Sequence, residues 1–222
     1  PFYLSSEKDF LSKLENKNIK AVTKSYDGTM WLGTDEGLYS VKNFAGSVSF
    51  KSHIENLIVW SLAPGNSGEL WIGTYGQGIK QLNMKTGRFK SWYINETASG
   101  FRNPSYNFIK TILQDNKGNV WVGLWGPGLV RLNPQSGQYR IWQNKKNDTL
   151  SLSYNDVWVI FEDSKERIWI GTNGGGLNLF ENVDGGRFHR FYKNKNKAAG
   201  LSDNRIYSIY ESTGGGKQLK NE

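Results

Sequence analysis

The chain contains no cysteine, only two histidines, and no long apolar run among its 222 residues. Without cysteine, disulfides, thiolate metal sites and thiol nucleophiles are excluded. No stretch of about 18 apolar residues is present, and the N-terminus lacks a basic segment followed by an apolar one. We therefore expect that the chain as given neither crosses a membrane nor carries its own export signal, and that this segment makes no membrane contact.

The charge balance is basic, with 28 lysines and arginines against 20 acids and a net charge of +8. The basic residues are scattered, apart from Lys145-Lys146 and the group Lys193, Lys195 and Lys197, which asparagines interrupt. No recognition-helix pattern and no aromatic RNA-binding motif accompanies them. We interpret them as solvated loops and predict no nucleic-acid partner.

An internal repeat is the strongest signal in the chain. Segments 30–34, 70–74, 120–124 and 168–172 read MWLGT, LWIGT, VWVGL and IWIGT, and their tryptophans are 40, 50 and 48 residues apart. Repeats with periods of about 20 to 50 residues are typical of propellers and solenoids.

The surroundings of each motif keep the same frame. A turn precedes each tryptophan, and a short Gly-containing turn followed by Gly-Leu or Gly-Ile comes after it. Four short stretches of period-2 character therefore fill each repeat, as in one propeller blade. We predict an all-β fold, a β-propeller segment of four-stranded antiparallel blades with four full repeats and partial blades at both ends. First strands end near Val22, Leu62, Ile112 and Ile160, and fourth strands begin at Phe50, Phe89, Tyr139 and Phe188.

Small sheets of this kind must stack radially to bury their faces, so the motif residues are predicted to be structural. His53 takes the slot that Trp92, Trp142 and Phe191 fill in other repeats, and His189 occupies an exposed basic position, so neither is a credible base. The predicted structural set is Trp31, Trp71, Trp121, Trp169, Gly33, Gly73, Gly123 and Gly171.

Both ends of the chain look like parts of further repeats. Phe2-Tyr3 resembles Phe191-Tyr192, which predicts a start in the fourth strand of an earlier blade, and 206–211 resembles a first strand. We expect a propeller segment over 1–211 that is not a closed ring by itself, and a flexible or non-propeller tail over 212–222.

The complete pattern resembles the two-component regulator propeller repeat over about residues 14–211. It combines a turn, aliphatic-Trp-aliphatic-Gly-Thr, Gly-Leu or Gly-Ile, and Leu-Ser-x-Asn at 152–155 and 201–204. The resemblance implies the periplasmic sensor domain of a Bacteroides-type hybrid two-component system, part of an inner-membrane protein that senses glycan fragments. Its kinase would lie outside this chain. Leu124 in place of Thr and Glu166 in place of the turn Gly depart from the pattern.

Other propeller families fit less well. The sialidase Asp-box spacing and the Trp-Asp pair of tryptophan-aspartate repeats are missing. The streptogramin lyase type is closer, but it requires a catalytic histidine and metal-binding acids around the central channel. We therefore predict no catalytic residue, no metal and no cofactor. The alternatives are a lyase-type propeller enzyme and a protein-docking scaffold.

Fourth-to-first loops and second-to-third turns open on one face of a propeller, which is the usual place for a ligand. Aromatic rings mixed with amide, acidic and Arg groups suit an oligosaccharide, although Tyr75 and Trp125 could also simply cap the blade edges. The net charge tilts this expectation toward acidic glycans. Further expected partners are the remainder of the sensor protein and a homodimer mate. The candidate binding residues are Tyr75, Trp125, Asn173, Tyr106, Tyr154, Arg102, Asp156 and Arg205.

Overall fold

Each repeat forms an antiparallel meander because its short apolar stretches are joined by tight turns that allow neighbouring strands to pair. A computed structural model describes residues 2–4, 12, 14–44, 47–94, 107–193 and 200–212. Over these residues it contains seventeen β-strands in four antiparallel sheets, which confirms the predicted fold class.

The first two blades use strands β2 to β9. The strands of the first are β2 (Ile19–Lys24), β3 (Met30–Thr34), β4 (Gly37–Phe44) and β5 (Ser47–Glu55). Those of the second are β6 (Val59–Pro64), β7 (Glu69–Thr74), β8 (Ile79–Asn83) and β9 (Phe89–Trp92).

The third and fourth blades repeat this order. The strands of the third are β10 (Ile109–Gln114), β11 (Val120–Leu124), β12 (Leu129–Leu132) and β13 (Tyr139–Trp142). Those of the fourth are β14 (Val157–Glu162), β15 (Ile168–Thr172), β16 (Leu177–Glu181) and β17 (Arg187–Phe191).

The turn between first and second strands has one backbone shape in all four blades. Gly28, Gly68 and Gly118 adopt φ values of 83°, 85° and 82°, and Glu166 adopts 57° at the same position. This left-handed region costs a residue with a Cβ about 1 kcal/mol or more, and glycine almost nothing. Glu166 therefore replaces the glycine of the repeat pattern while its backbone keeps the same turn conformation.

The motif glycines set the distance between blades. A Cβ on Gly33 would lie 2.6 Å from Cγ1 of Val59, and one on Gly123 would lie 2.7 Å from Cγ1 of Val157, in the first strand of the following blade. No side chain fits at such distances, so glycine allows the neighbouring blade to pack closely.

The motif tryptophans fill the spaces beside these contacts. Trp71 and Trp121 are 0% and 2% exposed, and each belongs to a core cluster formed with the following blade. Trp31 is also buried, while Trp169 in the last blade is half-buried. Three of the four motif tryptophans are therefore buried, and Trp169 is more accessible.

The N-terminal strand corrects one expectation. β1 (Phe2–Leu4) pairs antiparallel with β5, placing Phe2 opposite Phe50, so the first sheet has the order β1-β5-β4-β3-β2. The strand is thus a fifth strand of the first blade and not the fourth strand of an earlier one. β5 is nine residues long, and its outer edge offers unpaired backbone groups that a further strand can satisfy.

The C-terminal segment differs from the predicted first strand, because no strand is assigned over 206–211. It nevertheless takes the place that first strands take elsewhere. Ile206 covers Gly171, and Glu211 accepts a 2.7 Å hydrogen bond from the amide of Ser164, as Glu162 does from Asn116. No second strand follows it within the described residues. The tail beyond Ser212 lies outside the described residues.

The first strands lie side by side on the inner side of the assembly. β2 packs on β6, β6 on β10 and β10 on β14, whereas no comparable packing joins β14 to β2 in the described ranges. These four blades therefore form an open arc, as expected from the sequence. No helix among the described residues is long and apolar enough to span a membrane.

Candidate ligand-binding site

One position of each first strand carries a large polar or aromatic side chain. Eleven residues before each motif tryptophan stand Lys20, Trp60, Lys110 and Trp158. Each lies where the pairing of first and second strands skips a residue, for example between Ile109 and Thr111. Such a bulge releases its residue from the ladder and re-aims the side chain. The four side chains therefore line the inner side of the arc at one end of the blades.

Two residues from the turns after the second strands join this inner line. The ring of Trp125 lies 5.7 Å from that of Trp60 and 6.2 Å from that of Tyr75, centroid to centroid. Tyr75 also packs on Phe108 at 4.4 Å. Tyr75 and Trp125 are 43% and 47% exposed, so their rings are available to a ligand. We call the set Lys20, Trp60, Tyr75, Lys110, Trp125 and Trp158 the rim.

Lys110 lies at the centre of the rim. Its Nζ is 4.6 Å from the ring centroid of Trp60, 5.4 Å from that of Trp158 and 5.6 Å from that of Trp125. It makes no hydrogen bond or ion pair with any residue that the structure describes. Burial lowers the pKa of Lys110, and the nearby Asp156 carboxylate offsets part of this effect. The ammonium group is thus partly desolvated and held by aromatic faces alone.

Polar groups adjoin the rim on the side of the fourth blade. Oδ2 of Asp156 accepts a 2.9 Å hydrogen bond from Nδ2 of Asn173, while Oδ1 is buried without a hydrogen-bond partner among the described residues. Arg205 is less available, because it pairs with Asp203, and the bonds from Arg205 lower the pKa of that carboxyl to about 2.

The structure thus brings together part of the predicted site. Tyr75 and Trp125 belong to the rim, and Asp156 and Asn173 adjoin it. Tyr154 is 48% exposed and packs its Cβ against the turn at Gly175. Two further predicted residues, Arg102 and Tyr106, lie outside the described residues.

Sequence reasoning missed four members of the rim, Lys20, Trp60, Lys110 and Trp158. Their common offset from the motif tryptophan was a usable signal. This position is lysine in two blades and tryptophan in the other two. A position in an apolar strand that accepts lysine is not part of the hydrophobic core.

At the opposite end of the blades, polar groups bind the indole N–H of three of the four motif tryptophans. Nε1 of Trp121 donates to Asp115 at 2.7 Å, Nε1 of Trp169 to Asp163 at 2.8 Å, and Nε1 of Trp31 to Ser25 at 3.1 Å. Each acceptor stands six residues before its tryptophan. Burial raises the pKa of Asp163, but hydrogen bonds from Trp169 and from Arg167 outweigh this effect and hold it at about 2.

Both histidines lie on outer strands, as the repeat alignment predicts. His53 in β5 packs on Trp31 with ring centroids 4.7 Å apart and bonds to Oγ of Ser40 at 2.7 Å. Burial, with a smaller contribution from Lys51, lowers its pKa to about 4. His189 in β17 is exposed and pairs with Glu181. The described residues include no group of three or more potential metal ligands.

Stacked four-stranded antiparallel blades define a β-propeller. Two segments, 103–126 and 151–174, match the family model described as two-component regulator propeller. The chain therefore carries repeats of the two-component regulator propeller family, as its motifs predict. No curated protein sequence matches the chain.

Solved structures with the same fold include two from B. thetaiotaomicron. One is the extracellular domain described as belonging to the hybrid two-component system BT3049, with TM-score 0.65 and 19% identity over 95% of this chain and 26% of that one. The other is the extracellular domain of the one-component system BT4673, with TM-score 0.59 and 22% identity over 90% and 32%. The present chain therefore spans about a quarter to a third of these relatives.

An enzyme shares the fold as well. Virginiamycin B lyase from Staphylococcus aureus superimposes with TM-score 0.61 and 15% identity, over 82% of this chain and 57% of the lyase. At these identities the similarity establishes the architecture alone.

Proposed function

We propose that this chain is part of an extracytoplasmic sensor that binds an oligosaccharide at the rim and signals to a kinase located outside the chain. The observation that carries the proposal is the continuous run of partly exposed rings, Trp60, Tyr75 and Trp125, beside an ammonium and an incompletely satisfied carboxylate. The family repeats and the extracellular placement of two structural relatives support the sensor role.

The chemistry of the rim suits a sugar. A pyranose ring can place its C–H face on an indole or phenol ring, which removes apolar area from water on both sides. Its hydroxyls need polar partners, and the side chains of Asp156 and Asn173 adjoin the rim on the side of the fourth blade. A sugar stacked on the rings therefore has polar groups next to it.

A propeller enzyme of the lyase type is the second candidate, since one lyase shares the architecture. Such an enzyme needs a base at the inner strands. Both histidines lie on outer strands, His53 packed against Trp31 and His189 paired with Glu181, and this placement favours binding over catalysis. A protein-docking role remains the third candidate, and in that case glycans would not bind the rim.

Calorimetric titration of the chain with a panel of glycan fragments tests the proposal. Trp125→Ala and Tyr75→Ala should each weaken binding about tenfold, because stacking on one ring contributes about 1.5 kcal/mol. Phe89→Ala is the matched control, since Phe89 is a similarly exposed aromatic, 41%, on the outer strand of the second blade. Equal affinity of all variants and wild type would exclude the rim.

A further inference from the structure

We propose that the rim selects oligosaccharides that carry a carboxylate or sulfate group, and that Lys110 binds this group between the rings of Trp60, Trp125 and Trp158. The inference rests on the proposed function and specifies its ligand. It differs from a general attraction by the basic surface, because it assigns the recognition to one ammonium group in a defined environment.

The first reason is the unusual state of Lys110. Most surface lysines keep their ammonium groups in water, where they need no partner. Lys110 is half-buried among three indole rings, yet it lacks a carboxylate, carbonyl or hydroxyl partner among the described residues. A partly desolvated charge without an ion pair loses hydration that cation–π contacts replace only in part. An anionic group of a ligand would supply the missing partner.

The second reason is that a second ammonium group lies on the same indole. Lys20 Nζ is 5.6 Å from the ring centroid of Trp60, so Trp60 contacts two lysines that come from the first strands of the two neighbouring blades. The one carboxylate near Lys110, Asp156, already uses Oδ2 to bind Asn173. Lys20 lies near a further carboxylate, that of Asp35. The two ammonium groups over Trp60 nevertheless place positive charge on the ring where a ligand would stack, which favours an anionic ligand.

The third reason concerns the stacking surface. The ammonium group of Lys110 lies over the ring of Trp60, where a sugar would stack. A carboxylate or sulfate next to the stacking sugar would pair with this ammonium group and uncover the ring. A neutral sugar would have to displace Lys110 without offering a replacement partner. Charge recognition and stacking are thus coupled through one side chain.

The chain offers a matched comparison for this lysine. Lys90 Nζ lies 3.8 Å from the ring centroid of Trp92, also a lysine–tryptophan contact, but Lys90 is exposed and belongs to the outer strand β9. Removing its charge changes the net charge as much as removing that of Lys110, and leaves the rim intact.

The test measures binding of four probes to the chain by calorimetry. Trigalacturonate and its methyl ester differ in the carboxylate charge and in the small ester methyl groups, and a sulfated galactan oligosaccharide and its desulfated form differ only in the sulfate. The charged member of at least one pair should bind about tenfold or more tightly than its neutral partner. The pair that shows this difference identifies carboxylate or sulfate as the recognised group.

Variants then locate the charge effect. Lys110→Met should remove the preference for the charged probe, Lys110→Arg should keep part of it, and Lys90→Met should change affinity by less than about twofold at 0.15 M salt. Thermal melting checks that each variant is folded. Lys110→Met should melt close to the wild type, because the lysine forms no ion pair with a described residue.

The outcomes separate the inference from the proposed function. If charged and neutral members of both pairs bind equally, or if Lys90→Met weakens binding as much as Lys110→Met, the inference is wrong. Neutral glycans that bind and depend on Trp125 would then leave the proposed function intact. If no oligosaccharide of either kind binds the wild-type chain, both fail together.

Discussion

The two ends of the blades use their polar side chains differently. Where the first strand turns into the second, Asp115 accepts hydrogen bonds from the backbone amides of Lys117 and Asn119 and from the indole of Trp121. At the rim, Asp156 leaves one buried oxygen free and Lys110 has no polar partner in the described part of the chain.

This difference separates structure from function within one repeat. Side chains that satisfy each other hold the blades in place and have no capacity left for a ligand. Groups left half-satisfied at the rim cost stability unless they have a use outside the fold. Each repeat thus stabilises the propeller at one end of its blade. At the other end, its side chains differ from blade to blade and are available to a ligand.

The largest effect on stability should come from removing the carboxylate of Asp115. Asp115→Ala leaves the indole N–H of Trp121 without its partner in a core where this ring is 2% exposed. Together with the lost backbone bonds, we expect a decrease of about 3 kcal/mol in the free energy of unfolding, measured by urea titration.

Asp184→Asn is the control for this loss, because Asp184 is an exposed turn aspartate whose ion pair with Arg187 is on the surface. Its φ of 47° lies in the left-handed region, which asparagine tolerates as well as aspartate. Asp184→Asn should change stability by less than about 1 kcal/mol. If Asp115→Ala is no more destabilising than Asp184→Asn, the comparison between the two ends is wrong.

Acid should destabilise the fold, because it protonates His53, which is partly buried in the first blade. The rim contains no histidine and should not contribute to this effect. The pKa of His53 is lowered to about 4, below the 6.5 of the unfolded chain. Between these values the unfolded state binds a proton that the folded state does not, so stability is complete above about pH 6.5 and decreases as the pH falls toward 4. With allowance for solvent screening of this partly exposed ring, the loss is about 1–2 kcal/mol.

His53→Phe should remove this pH dependence, because Phe191 takes the same place against Trp169 in the fourth blade. His189→Gln, at an exposed site, should retain it. Urea titrations between pH 4 and pH 7 measure both. An unchanged pH profile in His53→Phe would show that another group is responsible.

A smaller gain is expected in the second blade, where Gly65 stands at the acceptor position and Nε1 of Trp71 has no described partner. Gly65→Ser would place a hydroxyl as Ser25 does for Trp31. The atoms nearest to its Cβ are Oε2 of Glu69 at 2.9 Å, and Oε1 of Gln114 and Cβ of Glu69 at 3.1 Å. Both oxygens accept hydrogen bonds from backbone amides, so moving them offsets part of the gain. We expect a net stabilisation of less than about 1 kcal/mol in urea titration.

Gly65→Ala separates the hydroxyl from the other effects of the substitution. It adds the same Cβ and removes the same backbone freedom of the unfolded chain, but supplies no acceptor. If Gly65→Ser is no more stable than Gly65→Ala, Trp71 does not need the bond.

Much of the fold could be predicted from the sequence because the repeat leaves few alternatives. The offset of His53 predicts its contact with Trp31, and the motif glycines predict close blade packing. The pairing of β1 with β5 could not be predicted, since Phe2-Tyr3 has the same pattern whether it adds to one sheet edge or another. Edge pairing depends on which backbone groups are free, and the residue pattern does not record this.

The site could be predicted in part. Tyr75 and Trp125 follow from the rule that turns after second strands share one face. The inner rim could not be assigned in the same way, because Trp60 and Trp158 look like core residues in an apolar strand. A β-bulge in each first strand takes these residues out of the backbone pairing with the second strand, and the sequence pattern does not reveal this bulge.

The most direct test of the account measures glycan binding and unfolding free energy in the same two variants, Trp125→Ala and Asp115→Ala. We expect opposite results for the two variants. Trp125→Ala should lose about tenfold in affinity and little stability, and Asp115→Ala, measured at a temperature where it is folded, should lose about 3 kcal/mol and keep the affinity. If Asp115→Ala weakens binding as much as Trp125→Ala does, the two ends are not separate and the central claim is contradicted.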